Sequence, residues 1–503
     1  MSSENREIKI GAMISYLGIF FSLIAGLLYN PWMIKTIGNS DYGLYTLSMS
    51  VVNTFLIDFG LSMATQRFVA NYIAQKDQKK INNIVGLILK LYIFISCILM
   101  IIFVCIYFFI DDIYIQLTLS ELFKFKLLYA LVVCYSVISF PFVVLNGVLS
   151  AYGKFIALKS FDLLCKVISI TLIVLALLNG AGVYALVIVN LFANIFVTIL
   201  KIIIVKKYTP LEINYKFFDV KKIKELFSFS IWTSISTMVM RLLLTLSPSI
   251  LGMMSGSYQI AIMGYAVSLE GYIYTFVNAI NGFFLPRLSR ISVENNSDSG
   301  EQVLTLMVRV GRIIFILYGL IYIGFLTMGR SFIELIIGSD YIDSYYCTLL
   351  ICMYGIIAYP QQIANTYIIV MNKVKKRAYI SLLTLIVYVV LAFPMSKIGG
   401  AVGICGSICI ALCVQTIIVN VMYYKDLKIN IVVFFKECHF KCILGTILSL
   451  ILAIIISLIN VEGWFGFFLK VILIICMYFL ICWKFTLKQS EKKLVCSIFN
   501  RKG

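Results

Sequence analysis

Charged residues lie inside several apolar stretches of this 503-residue sequence, and the clearest cases are Arg241 and Glu270. Arg241 lies near the centre of SISTMVMRLLLTLSPSI, seven residues before Pro248, and Glu270 lies in the next apolar stretch. A charge at mid-bilayer costs about 2.5–3.5 kcal/mol on insertion scales, so it faces a partner or a wet cavity. Two interpretations stand. Arg241 contacts an anion in a cavity, with Glu270 as counter-ion or proton carrier, or the two form a permanent pair that ties two helices together.

Asp58 is another such charge, and Arg67 follows it nine residues later. On one helix these two residues project about 13–14 Å apart along the axis, so they cannot pair directly. Lys90 is a candidate partner for Asp58, although a lysine at a helix end also snorkels to the membrane surface. Arg67 is then an interface anchor or a cation at a cavity mouth.

The residues that most enzymes require are missing. The single histidine, His439, excludes a His-based catalytic triad, and with Cys438 and Cys442 it offers only three poorly spaced metal ligands. The sequence also contains no G-x-x-x-x-G-K-[ST] phosphate loop. We therefore expect no enzyme activity and no cofactor, with energy supplied by an ion gradient, the substrate gradient or a partner.

The helices that must position these charges follow from composition. With 61% hydrophobic and 13% charged residues and a mean hydropathy of +1.00, the chain is not a soluble globular protein. Its 14 cysteines fall largely in apolar runs and are expected to act as small hydrophobic residues. At about 20 residues per crossing, we predict an all-α polytopic membrane protein. The 14 predicted spans are near 10–34, 43–66, 84–110, 125–150, 160–179, 182–205, 226–252, 260–286, 303–329, 345–370, 378–396, 400–424, 440–460 and 464–483.

Basic residues orient these spans. With both termini in the cytoplasm, 35 of the 42 Lys and Arg lie on the cytoplasmic side and only two, Arg241 and Lys470, lie within the membrane. This distribution satisfies the positive-inside rule. It explains the net charge of +19 without a nucleic-acid or dedicated anionic-lipid site. The first helix lacks a signal-peptide cleavage pattern and is expected to remain as a span.

An internal repeat divides the chain into two halves. Spans two and eight match at an offset of 220 residues, spans four and ten match at 219, and the glycines after spans five and eleven match at 220. The matched pairs are Tyr45 and Tyr265, Ser48 and Ser268, Asp58 and Asn278, Arg67 and Arg287, Pro141 and Pro360, Asn146 and Asn365, Lys154 and Lys373, and Gly180 and Gly400. We predict six-helix bundles at 1–205 and 226–424 around a central cavity, a basic linker at 206–225, and two appended helices with a basic tail at 425–503.

Residues 29–75 resemble the N-terminal region of bacterial polysaccharide biosynthesis flippases of the Wzx type. The motifs that carry the resemblance are Asn30-Pro31, Ile37-Gly38, Asp41-Tyr42-Gly43-x-Tyr45, Asp58-x-Gly60-Leu61 and Arg67-Phe68. Beyond them, the chain resembles this family in helix number, length and two-half plan. The family belongs to the multidrug, oligosaccharidyl-lipid and polysaccharide exporter superfamily.

The resemblance implies a function. It implies that the protein moves an undecaprenyl-diphosphate-linked oligosaccharide from the cytoplasmic to the periplasmic leaflet of the inner membrane, for O-antigen or capsule synthesis. It also implies that this movement occurs by alternating access around a cationic cavity. Arg241 then contacts the diphosphate, because guanidinium binds phosphate oxygens bidentately. Arg67, Lys90 and Arg287 are the candidate helpers near the inner mouth, and Glu270 and Asp58 are candidate coupling or counter-ion residues. A glycan polymerase and a chain-length regulator are possible partners.

Two other classes remain open. A drug or small-solute exporter of the same superfamily is expected to carry an acidic cation site in its first helix, and residues 10–34 contain no Asp or Glu. A non-transporting scaffold of a glycan assembly complex would tolerate removal of the intramembrane charges. The sequence does not reveal the sugar composition, the type of glycan, the coupling ion or the oligomeric state.

Overall fold

A computed structural model describes residues 3–281, 299–371, 373–489 and 491–492, and this part of the chain is helical. The first ten helices are α1 (Ser3–Ile37), α2 (Asn39–Phe55), α3 (Leu61–Ala74), α4 (Gln78–Phe108), α5 (Ile110–Ile113), α6 (Leu119–Ser139), α7 (Val144–Ala151), α8 (Phe155–Leu178), α9 (Tyr184–Tyr208) and α10 (Val220–Met254). They are followed by α11 (Ser257–Asn281), α12 (Ser299–Ile336), α13 (Ile342–Met353), α14 (Gly355–Ala358), α15 (Gln362–Val370), α16 (Val374–Leu427), α17 (Ile431–Phe435), α18 (Lys441–Ser457) and α19 (Gly463–Ile481).

Within the described ranges, 11 helical segments are long and apolar enough to cross a membrane. The prediction of an all-α, multi-pass membrane protein is confirmed, and the count of 14 spans stays a prediction. The counts differ because the second predicted span is divided into α2 and α3, α11 is not among the 11, and one of the 11 segments, α16, contains two predicted spans. These two spans meet at Gly400, where the backbone is not helical and the segment kinks, so α16 consists of two helices in sequence.

Prolines and glycines determine where helices bend. Pro141 and Pro360, paired by the repeat, each lie at the start of a 3₁₀ turn, Phe140–Val143 and Tyr359–Gln361, because proline removes a helical hydrogen bond. The paired glycines both have a positive φ, +81° at Gly180 and +53° at Gly400, inside α16. A residue with a side chain rarely adopts a positive φ, so the backbone at residue 400 favours glycine.

The described residues form two compact units. One holds the chain up to Gly264 together with Ala392–Gly400, and the other holds Tyr265–Leu391 and the described residues from Ala401 onward. In the first unit, α1 packs on α8, α2 on α6 and α3 on α7, and α10 packs on α2 and α3. In the second unit, α12 packs against α13, α15, α18 and α19. By its packing, α10 belongs to the first unit. The bundle boundaries at 205 and 226 stay a prediction.

A buried arginine joins three segments of the second unit. Arg312 of α12 is 1% exposed. Its Nε and Nη2 donate to the two carboxylate oxygens of Glu491 at 2.7 and 3.1 Å. The guanidinium also donates to the carbonyls of Glu437 at 3.0 Å and Thr486 at 2.5 Å, which belong to the π turns Lys436–Phe440 and Cys482–Thr486. The guanidinium therefore supplies donors to carbonyls of both π turns and fixes the segment after α19 to α12.

Glu491 lies outside the membrane-spanning segments, and its environment opposes protonation. Burial alone would raise the pKa of the Glu491 carboxyl, but the hydrogen bonds from Arg312 and the Lys488 backbone N–H outweigh it and hold that pKa below its ordinary value. A lowered pKa in the folded state stabilises the fold at neutral pH, and this contribution is lost as the pH falls through the folded-state value.

Replacing Glu491 by alanine is expected to destabilise the protein by about 3–5 kcal/mol, because the Arg312 charge would stay buried without its carboxylate. Glu334→Ala is the matched control: it breaks the exposed Arg330–Glu334 pair, which joins residues four apart on one helix and is worth about 0.3–0.5 kcal/mol. Thermal unfolding in detergent at neutral pH measures both variants. Equal midpoints for the two would contradict the role given to Arg312.

Candidate functional site

The second predicted span is broken at its polar motif. Helix α2 ends at Phe55, α3 begins at Leu61, and the turn between them contains Phe59 at φ +48° and Gly60 at φ +74°. Glycine adopts this left-handed conformation freely, whereas a phenylalanine rarely does. The matching stretch of α11, 220 residues later, is continuous helix. The motif Asp58-x-Gly60 therefore interrupts the first half of the repeat only, and broken spans line binding sites in many transporters.

Asp58 stabilises this break. Its Oδ2 accepts the backbone N–H of Ser62 at 3.3 Å, at the N-terminus of α3, where the helix dipole favours a carboxylate. Its Oδ1 accepts the hydroxyl of Tyr92, a fully buried residue of α4. The carboxylate thus holds both the broken span and α4.

Arg241 lies on the wall of a cavity of about 530 Å³ in the first unit. Helix α10 contributes Ser234, Thr237, Met238, Arg241, Leu242 and Thr245, a spacing that places all six on one helix face. The opposite wall is the end of α2, the break and the start of α3, including Asn53, Asp58 and Gln66. Ser50 donates to the Thr245 carbonyl, which fixes α10 against α2.

The charge in this cavity is available to a ligand. The Arg241 side chain is exposed, and it interacts electrostatically with Asp58 across the cavity. Among the salt bridges of the described residues, none joins Arg241 to Asp58. A guanidinium on a cavity wall, with a carboxylate nearby but not in contact, retains N–H donors that can bind an anion.

The other predicted basic residues lie elsewhere. Lys90 is not the partner of Asp58: its ammonium donates to the Phe217 carbonyl at 2.5 Å and lies 5.5 Å from the Phe218 ring centroid, so it anchors the segment that precedes α10. Arg67 is exposed on α3, and neither it nor Lys90 is on the cavity wall. Arg287 lies outside the described residues, so its role stays a prediction.

Glu270 lies in the second unit, on α11, and is 7% exposed. The Tyr359 hydroxyl donates to its Oε1 at 3.1 Å, and the Tyr354 hydroxyl lies 3.3 Å from that of Tyr359. Sequence reasoning identified the carboxylate but not these tyrosines, because their spacing in the sequence shows no link to Glu270. The pairing of Glu270 with Arg241 stays a prediction.

The His439 and cysteine group forms part of the protein interior. The His439 ring is 4.9 Å from the Phe435 ring and 5.0 Å from the Phe315 ring, centroid to centroid, and one ring nitrogen lies 3.2 Å from the Ile356 carbonyl. In the part of the chain that the structure describes, no three His, Cys, Asp or Glu residues are grouped as a metal site would require.

A family model described as polysaccharide biosynthesis protein matches residues 9–292, more than half of the chain. The chain therefore belongs to the polysaccharide biosynthesis protein family, which confirms the resemblance of residues 29–75. A comparison with curated proteins gives no match.

Solved structures share the fold. Lipid II flippase MurJ in an inward closed conformation matches with a TM-score of 0.74 and 13% identity, covering 93% of this chain and 98% of that chain. An inward-facing multidrug resistance MATE family transporter of the MOP superfamily matches at 0.67 and 14%, covering 84% and 98%. A MOP superfamily transporter from Pyrococcus furiosus matches at 0.51 and 15%, covering 84% and 95%. At these identities the matches establish a common fold.

The Asp58–Tyr92 contact is testable by a double-mutant cycle. Asp58→Asn and Tyr92→Phe each remove part of the contact, and we expect a coupling free energy of about 0.5–3 kcal/mol between them. Asp58→Ala is expected to cost more than Asp58→Asn, because the buried Tyr92 hydroxyl then has no acceptor. Thermal unfolding in detergent measures the four proteins of the cycle and Asp58→Ala. Strictly additive effects would show that Asp58 does not hold α4.

Proposed function

We propose that this protein is a flippase that moves an undecaprenyl-diphosphate-linked oligosaccharide from the cytoplasmic to the periplasmic leaflet by alternating access. Membership in the polysaccharide biosynthesis protein family supports a glycan substrate. The fold it shares with MurJ, a lipid II flippase, supports a lipid-linked one. The product is then a surface polysaccharide such as O-antigen or capsule.

The observation that carries the proposal is the exposed Arg241 on the wall of the cavity in the first unit. A diphosphate offers oxygens at the spacing of the guanidinium fork, and the bond is stronger in a site of low dielectric constant than in water. Asp58 has the opposite effect on an anion. We infer that its contacts with Tyr92 and Ser62 keep the carboxylate turned toward the helix break and leave Arg241 to the ligand.

The size of the cavity fits part of the substrate. Ligand pockets have volumes of about 300–1,000 Å³, so a cavity of about 530 Å³ accommodates a diphosphate with the adjoining sugar but not a long prenyl chain. The prenyl chain then stays in the bilayer, where its burial costs no free energy. Tyr29 and Trp32, with ring centroids 6.3 Å apart, are aromatic candidates for contact with sugar rings.

The location follows from the same proposal. A lipid-linked glycan is assembled on the cytoplasmic leaflet, so the protein belongs in the inner membrane, with both termini in the cytoplasm as the basic loops predict. A glycan polymerase and a chain-length regulator would act on the product at the other leaflet. A small-solute or drug exporter is the second candidate, since the MATE family transporter has the same fold.

The test is complementation of a strain that lacks the gene. Arg241→Ala is expected to abolish surface glycan and to leave lipid-linked oligosaccharide on the cytoplasmic leaflet, with protein abundance unchanged. Arg241→Lys should restore only part of the glycan, since an ammonium lacks the fork. Arg330→Ala, which removes an arginine from an exposed pair, is the control and should behave as wild type.

Leaflet distribution distinguishes the candidates. Normal distribution in the deletion strain, with altered drug tolerance, would favour the exporter. Normal glycan with Arg241→Ala, combined with loss of glycan after changes in the cytoplasmic loops, would favour a scaffold.

A further inference from the structure

The second unit contains a buried carboxylate surrounded by tyrosines. Glu270 on α11 is 7% exposed and Tyr359, in the proline turn between α14 and α15, is 2% exposed. The rings of Tyr274, Tyr318 and Tyr354 all pack on that of Tyr359, with centroid distances of 5.9, 5.0 and 5.6 Å. The proline turn at Tyr359–Gln361 places the Tyr359 hydroxyl against Glu270.

The hydrogen bonds in this cluster run in one direction. A tyrosine hydroxyl has a single hydrogen, and that of Tyr359 donates to Glu270 Oε1 at 3.1 Å. The contact of 3.3 Å between Tyr354 and Tyr359 must therefore have Tyr354 as its donor. Arg377 interacts electrostatically with Tyr354. The result is a chain of two hydroxyls directed at the carboxylate.

Within the part of the second unit that the structure describes, the other groups near Glu270 are neutral. Tyr318 of α12 donates to the Cys352 carbonyl at 2.5 Å, and the Cys352 thiol on α13 also faces the carboxylate. Within the described part of the second unit, Glu270 has no ion-pair partner. Arg377 interacts electrostatically with Tyr354, the hydroxyl farther from Glu270. A buried carboxylate with one neutral donor is strongly disfavoured as an anion, so it takes up a proton when one can reach it.

A route for that proton begins at Tyr354. This residue lines an open cavity of about 800 Å³ in the second unit, between α13, the end of α16 and α17. The cavity wall is mainly apolar, but Thr416, Asn420 and Lys425 of α16 form a polar side. Among the described residues, the Asn420 side-chain oxygen is buried without a hydrogen-bond partner.

We propose that Tyr354, Tyr359 and Glu270 form a proton relay through which the buried carboxylate exchanges one proton with the cavity beside Tyr354. A proton from cavity water binds the Tyr354 oxygen while the Tyr354 proton passes to Tyr359 and the Tyr359 proton passes to Glu270. Both tyrosines end neutral, Glu270 ends as the acid, and rotation of the hydroxyls restores the chain. The proton site is independent of the substrate, whereas its use in driving export rests on the proposed function.

The experiment is infrared spectroscopy of the purified full-length protein in lipid vesicles. A pH titration is expected to show a carboxylic acid band that shifts in D₂O and is absent from Glu270→Gln. After a pH jump, the band should form about tenfold or more slowly in Tyr354→Phe, because one hydroxyl of the chain is missing, with the titration midpoint little changed. Tyr359→Phe should shift the midpoint as well, because it removes the donor to Glu270.

Tyr318→Phe is the matched control, since it removes a hydroxyl from the same cluster that donates to a backbone carbonyl and lies outside the relay. It should leave both the rate and the midpoint at their wild-type values. Two results would overturn the relay. The band would form as fast in Tyr354→Phe as in wild type, or it would form as slowly in Tyr318→Phe as in Tyr354→Phe. If Tyr354→Phe does not fold, a weak acid that enters the cavity can be added to the wild-type protein. The relay predicts that this acid speeds formation of the Glu270 band, and an unchanged rate would overturn it.

The absence of a Glu270 band would show that the site does not bind a proton. Loss of the band on adding Na⁺ at constant pH would show that the site prefers a metal cation. Neither result depends on translocation. The infrared experiment tests the proton site and the complementation experiment tests flipping. Failure of one proposal is therefore distinguishable from failure of the other.

Discussion

The bilayer core offers no water, so each ionisable side chain within it needs a partner inside the protein or a cavity. Three such residues meet this constraint in different ways. Asp58 is held by Tyr92 and a backbone N–H, and Glu270 by a tyrosine. Among these three, Arg241 is the one whose side chain is exposed on a cavity wall. Asp58 and Glu270 therefore have partners inside the protein, and Arg241 is available to a ligand.

Interrupted helices place these residues. The proline turns at Pro141 and Pro360 and the positive φ at Gly180 and Gly400 occur at matched places in the two halves of the sequence, so they belong to the common plan of the fold. The break between α2 and α3 has no counterpart in α11. A feature present in one half of a repeat indicates a local role, and here it forms one wall of the cavity that contains Arg241.

A common fold does not decide what such a protein carries. The solved structures with this fold include a lipid II flippase and a multidrug transporter, so the substrate depends on the side chains of the cavity. An arginine facing a cavity favours an anionic headgroup, and membership in the polysaccharide biosynthesis protein family favours one attached to a glycan. The tyrosine cluster around Glu270 places a buried carboxyl group in the second unit, where we propose that it carries a proton.

The sequence by itself determined the class of protein, because hydropathy, charge distribution and the motifs of residues 29–75 are local properties of the chain. It also identified Arg241, Glu270 and Asp58, because a charge in an apolar run is visible without a structure. Only the tertiary structure decided their partners. Lys90 lies on the span after Asp58, yet it contacts Phe217 because packing brings that segment to it, while Tyr92, two residues further on, reaches Asp58. Contacts between residues far apart in sequence, such as Arg312 with Glu491 or Glu270 with Tyr359, depend on helix packing, which no local pattern records.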